Sequence, residues 1–74
     1  MSIQAQEKSK LTNRELHVLV NVAEGLTNKQ IAVRLGLSEN TIRNHLTRVY
    51  NKLEAGNRTE AVMTAMRHHG LQVF

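Results

Sequence analysis

One pattern that marks the start of a helix occurs three times along the chain. Each copy has a leucine, then a threonine or serine, and then an apolar residue five positions after the leucine: Leu11-Thr12 with Leu16, Leu26-Thr27 with Ile31, and Leu37-Ser38 with Ile42. The hydroxyl can accept a hydrogen bond from a backbone N–H of the first helical turn, while the two apolar residues pack across that turn. Glu15 and Gln30 complete capping boxes behind Thr12 and Thr27, and Thr41 holds that place behind Ser38. The chain is therefore predicted to start helices at three places.

Glycine is predicted to end these helices, because the chain contains no proline. Its four glycines stand at positions 25, 36, 56 and 70, and glycine tolerates the positive φ found where helices end. A fourth start signal, Asn57 with Glu60 three residues later, lacks the apolar pair of the other three. The predicted helices span about 13–24, 28–35, 39–53 and 58–69. Their short connections predict an all-α, four-helix domain with a central helix-turn-helix in residues 11–74, after a flexible arm in residues 1–10.

Composition narrows the classes of function open to this domain. A chain of 74 residues with 41% hydrophobic residues supports one small core, to which the first helix is expected to contribute Leu16, Leu19, Val20 and Ala23. Without cysteine, neither a disulfide framework nor a zinc finger is possible, and no metal or other cofactor is expected. No arrangement of nucleophile, base and acid indicates an enzyme. No segment approaches the ~20 apolar residues of a membrane span, so no membrane partner and a cytoplasmic location are expected.

The second and third predicted helices have the pattern of a helix-turn-helix. Ala32 is small where the second helix approaches the third, Gly36 provides the turn, and Ile42 fills the angle between the two helices. A purely structural corner between two helices would need the same residues. The alternative of a structural corner therefore stays open on this pattern alone.

The polar face of the third helix favours DNA over a structural corner. Opposite its apolar stripe lie six polar residues and no acidic residue after Glu39: Asn40, Arg43, Asn44, Thr47, Arg48 and Asn51. Arginine can bind guanine and asparagine can bind adenine through two hydrogen bonds, while threonine offers a hydroxyl or a methyl group. Residues 27–52 carry five basic residues against one acidic residue, which is the whole net charge of +4. This face is predicted to lie in a major groove.

Two segments carry a family resemblance: LTNRELHVL, and EGLTNKQIAVRLGLSENTIRNHLTRVYNKLEAGNRTEAV. Together they resemble the C-terminal DNA-binding domain of the LuxR/NarL/GerE regulators, over about residues 11–69. The resemblance implies a four-helix fold that places the third helix in the major groove and forms a homodimer through the fourth on an inverted-repeat site. It also implies that three residues face the bases: Arg43, Asn44 and Thr47.

The remaining DNA contacts are expected at the phosphate backbone. The helix N-termini and the resemblance together assign them to Thr27, Asn28, Lys29, Ser38, Asn40, Thr41, Arg48, Asn51 and Lys52. The family commonly has lysine where this chain has Arg43, and arginine can bind guanine through two hydrogen bonds. Arg43 is therefore expected to prefer a G at its base pair. His45, at the edge of the buried stripe, is expected to pack and to form a hydrogen bond, with a phosphate as one candidate partner. The pair His68 and His69 is not expected to bind metal.

The fourth predicted helix is apolar over more than half of its surface, which is more than a small core needs. The small residues at 61 and 65, one turn apart, would let two such helices approach closely across a two-fold axis. The predicted dimer interface comprises Ala61, Val62, Ala65, Met66 and His69. The alternative is that the tail, residues 71–74, folds back and covers this surface.

Two functions stay open from the sequence. The first is a sequence-specific transcription regulator that binds double-stranded DNA as a homodimer at the nucleoid, with RNA polymerase as a candidate partner. The alternative is a protein-interaction module that pairs with longer regulators of this type and titrates them. Arg43, Asn44 and Thr47 favour the first, since a titrating module needs no surface that reads a groove. The sequence also leaves open whether the domain is a complete small regulator or the output domain of a larger protein.

Overall fold

The computed structural model describes residues 11–68 and Leu71. These residues contain four α-helices and no strand: α1 (Asn13–Ala23), α2 (Asn28–Leu35), α3 (Glu39–Leu53) and α4 (Arg58–His68). The prediction of an all-α, four-helix fold with a central helix-turn-helix is confirmed. The arm predicted in residues 1–10 and the last predicted interface residue, His69, lie outside the described residues.

Each helix begins at the cap that the sequence indicates. Glu15 N–H donates to Thr12 Oγ1 at 3.0 Å, and the Glu15 carboxylate accepts from Thr12 N–H at 2.9 Å. Thr27 and Gln30 form the same reciprocal pair at 3.2 and 2.9 Å. Ser38 accepts from Thr41 N–H at 3.0 Å, and Asn57 accepts from Glu60 N–H at 2.9 Å. All four start signals therefore act as caps, including the weaker one.

The buried face of α1 differs from the expected one. Val18 and Leu19 are fully buried and Val22 is 7% exposed, whereas Leu16, Val20 and Ala23 are only partly buried. The predicted stripe is wrong because two polar residues, Glu15 and Asn21, occupy buried positions of the same face. Counting apolar residues alone therefore shifted the predicted stripe around the helix.

Asn21 can be buried because its own helix and α2 satisfy its amide. Its Nδ2 donates to the carbonyl oxygen of His17 at 2.7 Å, and its Oδ1 accepts from Arg34 Nη1 at 2.9 Å. The same Arg34 atom lies 3.1 Å from the carboxylate of Glu24. A buried amide with both ends paired avoids the desolvation penalty that an unpaired one carries. The hydrogen bond between Asn21 and Arg34 therefore links α1 to α2.

The structure corrects the expected role of the small residues of α4. Ala61 and Ala65 are fully buried and belong to the domain's own core, so they have no surface to offer to a second chain. Leu71 is buried as well, and its N–H donates to the carbonyl oxygen of Ala65 at 3.2 Å. The large apolar side chains that α4 leaves exposed are Met63 and Met66. Small residues at this spacing serve close packing of α4 inside one domain.

Within residues 11–68, no helix combines the length and the apolar character needed to cross a bilayer.

Candidate nucleic-acid interface

The turn between α2 and α3 depends on one glycine. Gly36 has φ +69°, in the left-handed region where a residue with a Cβ is strained. The N–H of Leu37 donates to the carbonyl oxygen of Ala32 at 2.9 Å, which closes the end of α2. Ser38 then caps α3 directly, and Ile42 is fully buried one turn into α3. The connection is short, and Ile42 anchors the first turn of α3 in the core, so the turn determines how α3 lies against α2.

The helix α3 has two sharply different faces. Its buried stripe consists of Ile42, Leu46, Val49 and Leu53. After the exposed Glu39 at its first position, its exposed face consists of the six polar residues expected there: Asn40, Arg43, Asn44, Thr47, Arg48 and Asn51. Because fifteen residues extend about 22 Å, this face is long enough to follow a major groove, whose width of about 12 Å admits one helix. The structure thus brings the expected base-facing residues together on one surface; their contacts with bases stay a prediction.

Two hydrogen bonds organise the centre of this face. Thr47 Oγ1 donates to the carbonyl oxygen of Arg43 at 3.0 Å, one turn earlier in the helix. Arg43 Nη1 lies 3.5 Å from Asn40 Oδ1, at the outer limit of a hydrogen bond. The Thr47 hydroxyl is therefore held against the helix backbone, while the Arg43 guanidinium is held weakly and can turn toward a ligand.

The helix N-termini hold most of the residues expected at phosphates. At the start of α2, Thr27 uses its hydroxyl as a cap, and Lys29 is exposed in the first turn. At the start of α3, Ser38 Oγ and Thr41 Oγ1 lie 2.8 Å apart, and either can be the donor. The caps organise the first turns of both helices, whose N–H groups and dipoles suit an anion. Phosphate contacts at these positions stay a prediction.

Arg58 is a residue of this region that the sequence did not single out. Its Nη1 donates to Asn28 Oδ1 at 2.9 Å, and its Nη2 donates to the carbonyl oxygen of Leu26 at 2.8 Å. One guanidinium at the start of α4 therefore holds the loop before α2 and the first residue of α2. Because the Asn28 oxygen is engaged, its amide N–H₂ group is the part left to donate elsewhere. Arg58 lies within the NRTEAV segment, but no local pattern links it to a partner thirty residues away.

Lys52 differs from the expectation that it mainly contacts phosphate. Its Nζ lies 2.7 Å from Glu15 Oε1, and the side chains are 25% and 4% exposed. Burial by itself would raise the pKa of the Glu15 carboxyl, but hydrogen bonds from Lys52 and Thr12, with the Lys52 charge, hold that pKa below its ordinary value. The principal observed role of Lys52 is to tie the last turn of α3 to the first turn of α1.

Two ion pairs neutralise part of the positive charge of the helix-turn-helix. The acids of α1 and its C-cap, Glu15 and Glu24, neutralise two of the five cations of the helix-turn-helix, Lys52 and Arg34. The other three, Lys29, Arg43 and Arg48, have no carboxylate partner among the described residues and are all exposed. The positive potential is therefore concentrated on the start of α2 and the polar face of α3.

No group of three or more candidate metal ligands occurs in residues 11–68 and Leu71. His45 is partly buried on α3, and its enclosed Nδ1 has no hydrogen-bond partner within the described part of the chain. His68 is exposed at the end of α4. The position of His45 at the edge of the core agrees with the expected packing, whereas the expected hydrogen bond is not seen at Nδ1 among the described residues.

Comparison with known protein families agrees with the helix-turn-helix fold. Residues 9–65 match the family described as "Bacterial regulatory proteins, luxR family". The chain belongs to the luxR family. The resemblance seen in the sequence is thereby confirmed, and the family comprises regulatory proteins rather than a class of enzymes.

Curated relatives of this luxR-family domain are transcriptional regulators. The chain is 48% identical over 62 residues to the transcriptional regulatory protein YdfI of Bacillus subtilis (strain 168), covering 84% of this chain and 29% of YdfI. It is 47% identical over 60 residues to the transcriptional regulatory protein ComA of the same organism, covering 81% of this chain and 28% of ComA. The chain spans less than a third of the length of either relative.

A solved structure gives the same result for the fold. The response regulator ChrA of a heme-sensing two-component system superposes with a TM-score of 0.77 at 41% sequence identity. The match covers 80% of this luxR-family domain and 29% of the ChrA chain. The four-helix arrangement described above is therefore also present in a crystal structure of a relative.

Proposed function

We propose that the domain is a sequence-specific, DNA-binding transcription regulator that places α3 in the major groove. The observation that carries this proposal is the exposed polar face of α3, which has no acid after Glu39 and lies opposite a fully packed apolar stripe. An exposed helix that only needs solvation gains from alternating Glu and Lys, and α3 lacks that alternation. Its combination of arginine, asparagine and threonine matches the donors and acceptors of base edges. The relatives named as transcriptional regulators support the same function.

In this proposal Arg43, Asn44 and Thr47 contact bases, and the phosphates are bound around them. Lys29 at the start of α2 and Arg48 on α3 supply the charged phosphate contacts. The neutral donors are Thr27, Asn28, Ser38, Asn40, Thr41 and Asn51. With about two charged phosphate contacts in each domain, log K for a dimer is expected to fall with log salt at a slope of about −4.

The proposal includes a homodimer formed through α4 on an inverted repeat. Met63 and Met66 support it, because they are 49% and 47% exposed on the same helix, beside the partly buried Val62. Two copies related by a two-fold axis would read half-sites about 10 base pairs apart, or one turn of DNA. Such a regulator acts at the nucleoid in the cytoplasm, with RNA polymerase as a candidate partner.

Selection of bound duplexes from a random pool, at two salt concentrations, tests this function. The proposal expects an enriched inverted repeat and a steep loss of affinity at the higher salt. Arg43→Ala should lose about 1–3 kcal/mol and relax the choice at one base pair, while Arg14→Ala, an exposed arginine on α1, should bind like the wild type. If no motif is enriched but the domain forms mixed dimers with longer regulators, the titrating module replaces this proposal.

A further inference from the structure

The side chain of Thr47 is oriented by its own helix. Its Oγ1 donates to the carbonyl oxygen of Arg43 at 3.0 Å, although Thr47 is exposed at the centre of the polar face of α3. This bond to the preceding turn is a known alternative for threonine in helices. It uses the one proton that the hydroxyl can donate and turns the oxygen toward the helix backbone. The β-carbon of threonine carries a hydroxyl and a γ-methyl group. Because the hydroxyl is turned inward, the γ-methyl group is the one that faces outward.

The outward methyl changes what Thr47 can recognise. A threonine could read a base edge through its hydroxyl or through its methyl group, and the two readings favour different bases. A hydroxyl already donating to a carbonyl cannot donate to guanine O6 or N7. A methyl group has one complementary feature in the major groove, the C5-methyl of thymine. The two base-facing neighbours, Arg43 and Asn44, end in polar groups and have no methyl group to offer for such a contact.

We propose that Thr47 is a specificity-determining residue that recognises a thymine C5-methyl group by apolar contact, with its hydroxyl bound to the carbonyl oxygen of Arg43. The inference rests on the proposed placement of α3 in the major groove. The binding site is then expected to contain a thymine next to the base pair read by Arg43. 5-Methylcytosine carries the same methyl group and is expected to substitute for that thymine at this contact.

Replacement of each thymine of the selected site by deoxyuridine tests the proposal, because it removes one methyl group and leaves base pairing intact. Wild-type protein should lose affinity about fourfold at one position in each half-site, which corresponds to burial of a single methyl group. Thr47→Ser keeps the hydroxyl and removes the methyl, so it should bind more weakly and no longer distinguish thymine from deoxyuridine there. Thr47→Val keeps a methyl and removes the hydroxyl, so it should still distinguish thymine from deoxyuridine at that position.

Control measurements separate the possible failures. Thr59→Ser and Thr59→Val make the same changes on an exposed threonine of α4 and should leave binding unchanged. Circular dichroism establishes that every variant is folded. The proposal is overturned if no thymine position responds to deoxyuridine, or if Thr47→Val loses more affinity than Thr47→Ser, which would assign the contact to the hydroxyl. Failure of the wild type to select any site overturns the proposed function instead.

Discussion

The ammonium group of Lys52 lies 2.7 Å from the carboxylate of Glu15, which also accepts the N–H of Thr12 at 2.9 Å. One carboxylate therefore caps the first turn of α1 and holds the last turn of α3, 37 residues further along the chain. The polar face proposed to contact DNA lies on α3. This pair therefore holds α3 in place at its C-terminal end, away from the turn that joins it to α2. Because Glu15 is buried, this ion pair is part of the packing between α1 and α3.

Glu15→Gln is expected to lower the free energy of unfolding at pH 7 by about 1.5–3 kcal/mol, the usual contribution of a hydrogen bond to a charged group. The glutamine oxygen can still accept Thr12 N–H, as Gln30 does for Thr27, so the loss reports the missing charge beside Lys52. Urea denaturation followed by circular dichroism measures it. Glu24→Gln is the matched control, because the pair of Glu24 with Arg34 is exposed and contributes less than about 1 kcal/mol. Equal losses in the two variants would show that the pair of Glu15 with Lys52 contributes no more than an exposed ion pair.

The same pair implies a pH dependence. The pKa of the Glu15 carboxyl lies below 4.5 in the folded domain, although burial alone would raise it, because Lys52 and Thr12 stabilise its charged form. Such a group contributes stability in full above its unfolded pKa and loses the contribution as the pH falls through the folded value. The difference in the free energy of unfolding between wild type and Glu15→Gln should therefore be constant near neutral pH and become smaller as the pH falls below 4.5. Stability curves at a series of pH values would disprove this if the difference persisted unchanged at the acidic end.

Arg58→Met is expected to destabilise the domain by about 2–3 kcal/mol, because it removes two charged hydrogen bonds and leaves the Leu26 carbonyl oxygen and Asn28 Oδ1 without their donor. The start of α2 should also become less protected in hydrogen exchange. Thermal unfolding and exchange at the N–H groups of α2 measure the two effects. Arg67→Met changes an exposed arginine of the same helix and should do neither. Similar behaviour of both variants would show that Arg58 is an ordinary surface residue.

Two substitutions on α4 separate the domain's core from the proposed dimer surface. Ala65→Glu should destabilise the domain by more than about 3 kcal/mol, because it places an unpaired carboxylate at a fully buried position. Met66→Glu should leave the fold intact and weaken self-association, because this side chain is 47% exposed. Circular dichroism and sedimentation equilibrium measure folding and mass. A Met66→Glu protein that dimerises as tightly as the wild type would exclude Met66 from the interface.

The sequence predicted the helices well because their caps are local. Thr12 and Thr27 find their partners three residues away, so a short pattern contains the whole interaction. The buried face of α1 was predicted poorly for the opposite reason. Glu15 is buried because Lys52 reaches it from 37 residues away, and Asn21 is buried because Arg34 does so from 13 residues away. No pattern within one helix contains such partners.

The candidate site divides in the same way. The polar face of α3 could be read from helical periodicity, since one helix determines which of its residues share a side. The roles of Lys52 and Arg58 could not be predicted from periodicity, because the partners of each side chain lie on other parts of the chain. On α4, periodicity placed Ala61 and Ala65 on one face but could not tell whether that face met the core or solvent.

The choice of base pair by Arg43 is the most direct test of whether α3 reads the major groove. Affinities of wild type and Arg43→Ala are measured for the selected duplex and for the same duplex with the G·C pair expected at Arg43 inverted. If α3 lies in the major groove with Arg43 bound to guanine, wild type discriminates by about 1–3 kcal/mol and Arg43→Ala binds both duplexes equally. Equal affinity of the wild type for the two duplexes, with uniformly weaker binding by Arg43→Ala, would make Arg43 a phosphate contact and rule out its binding to guanine.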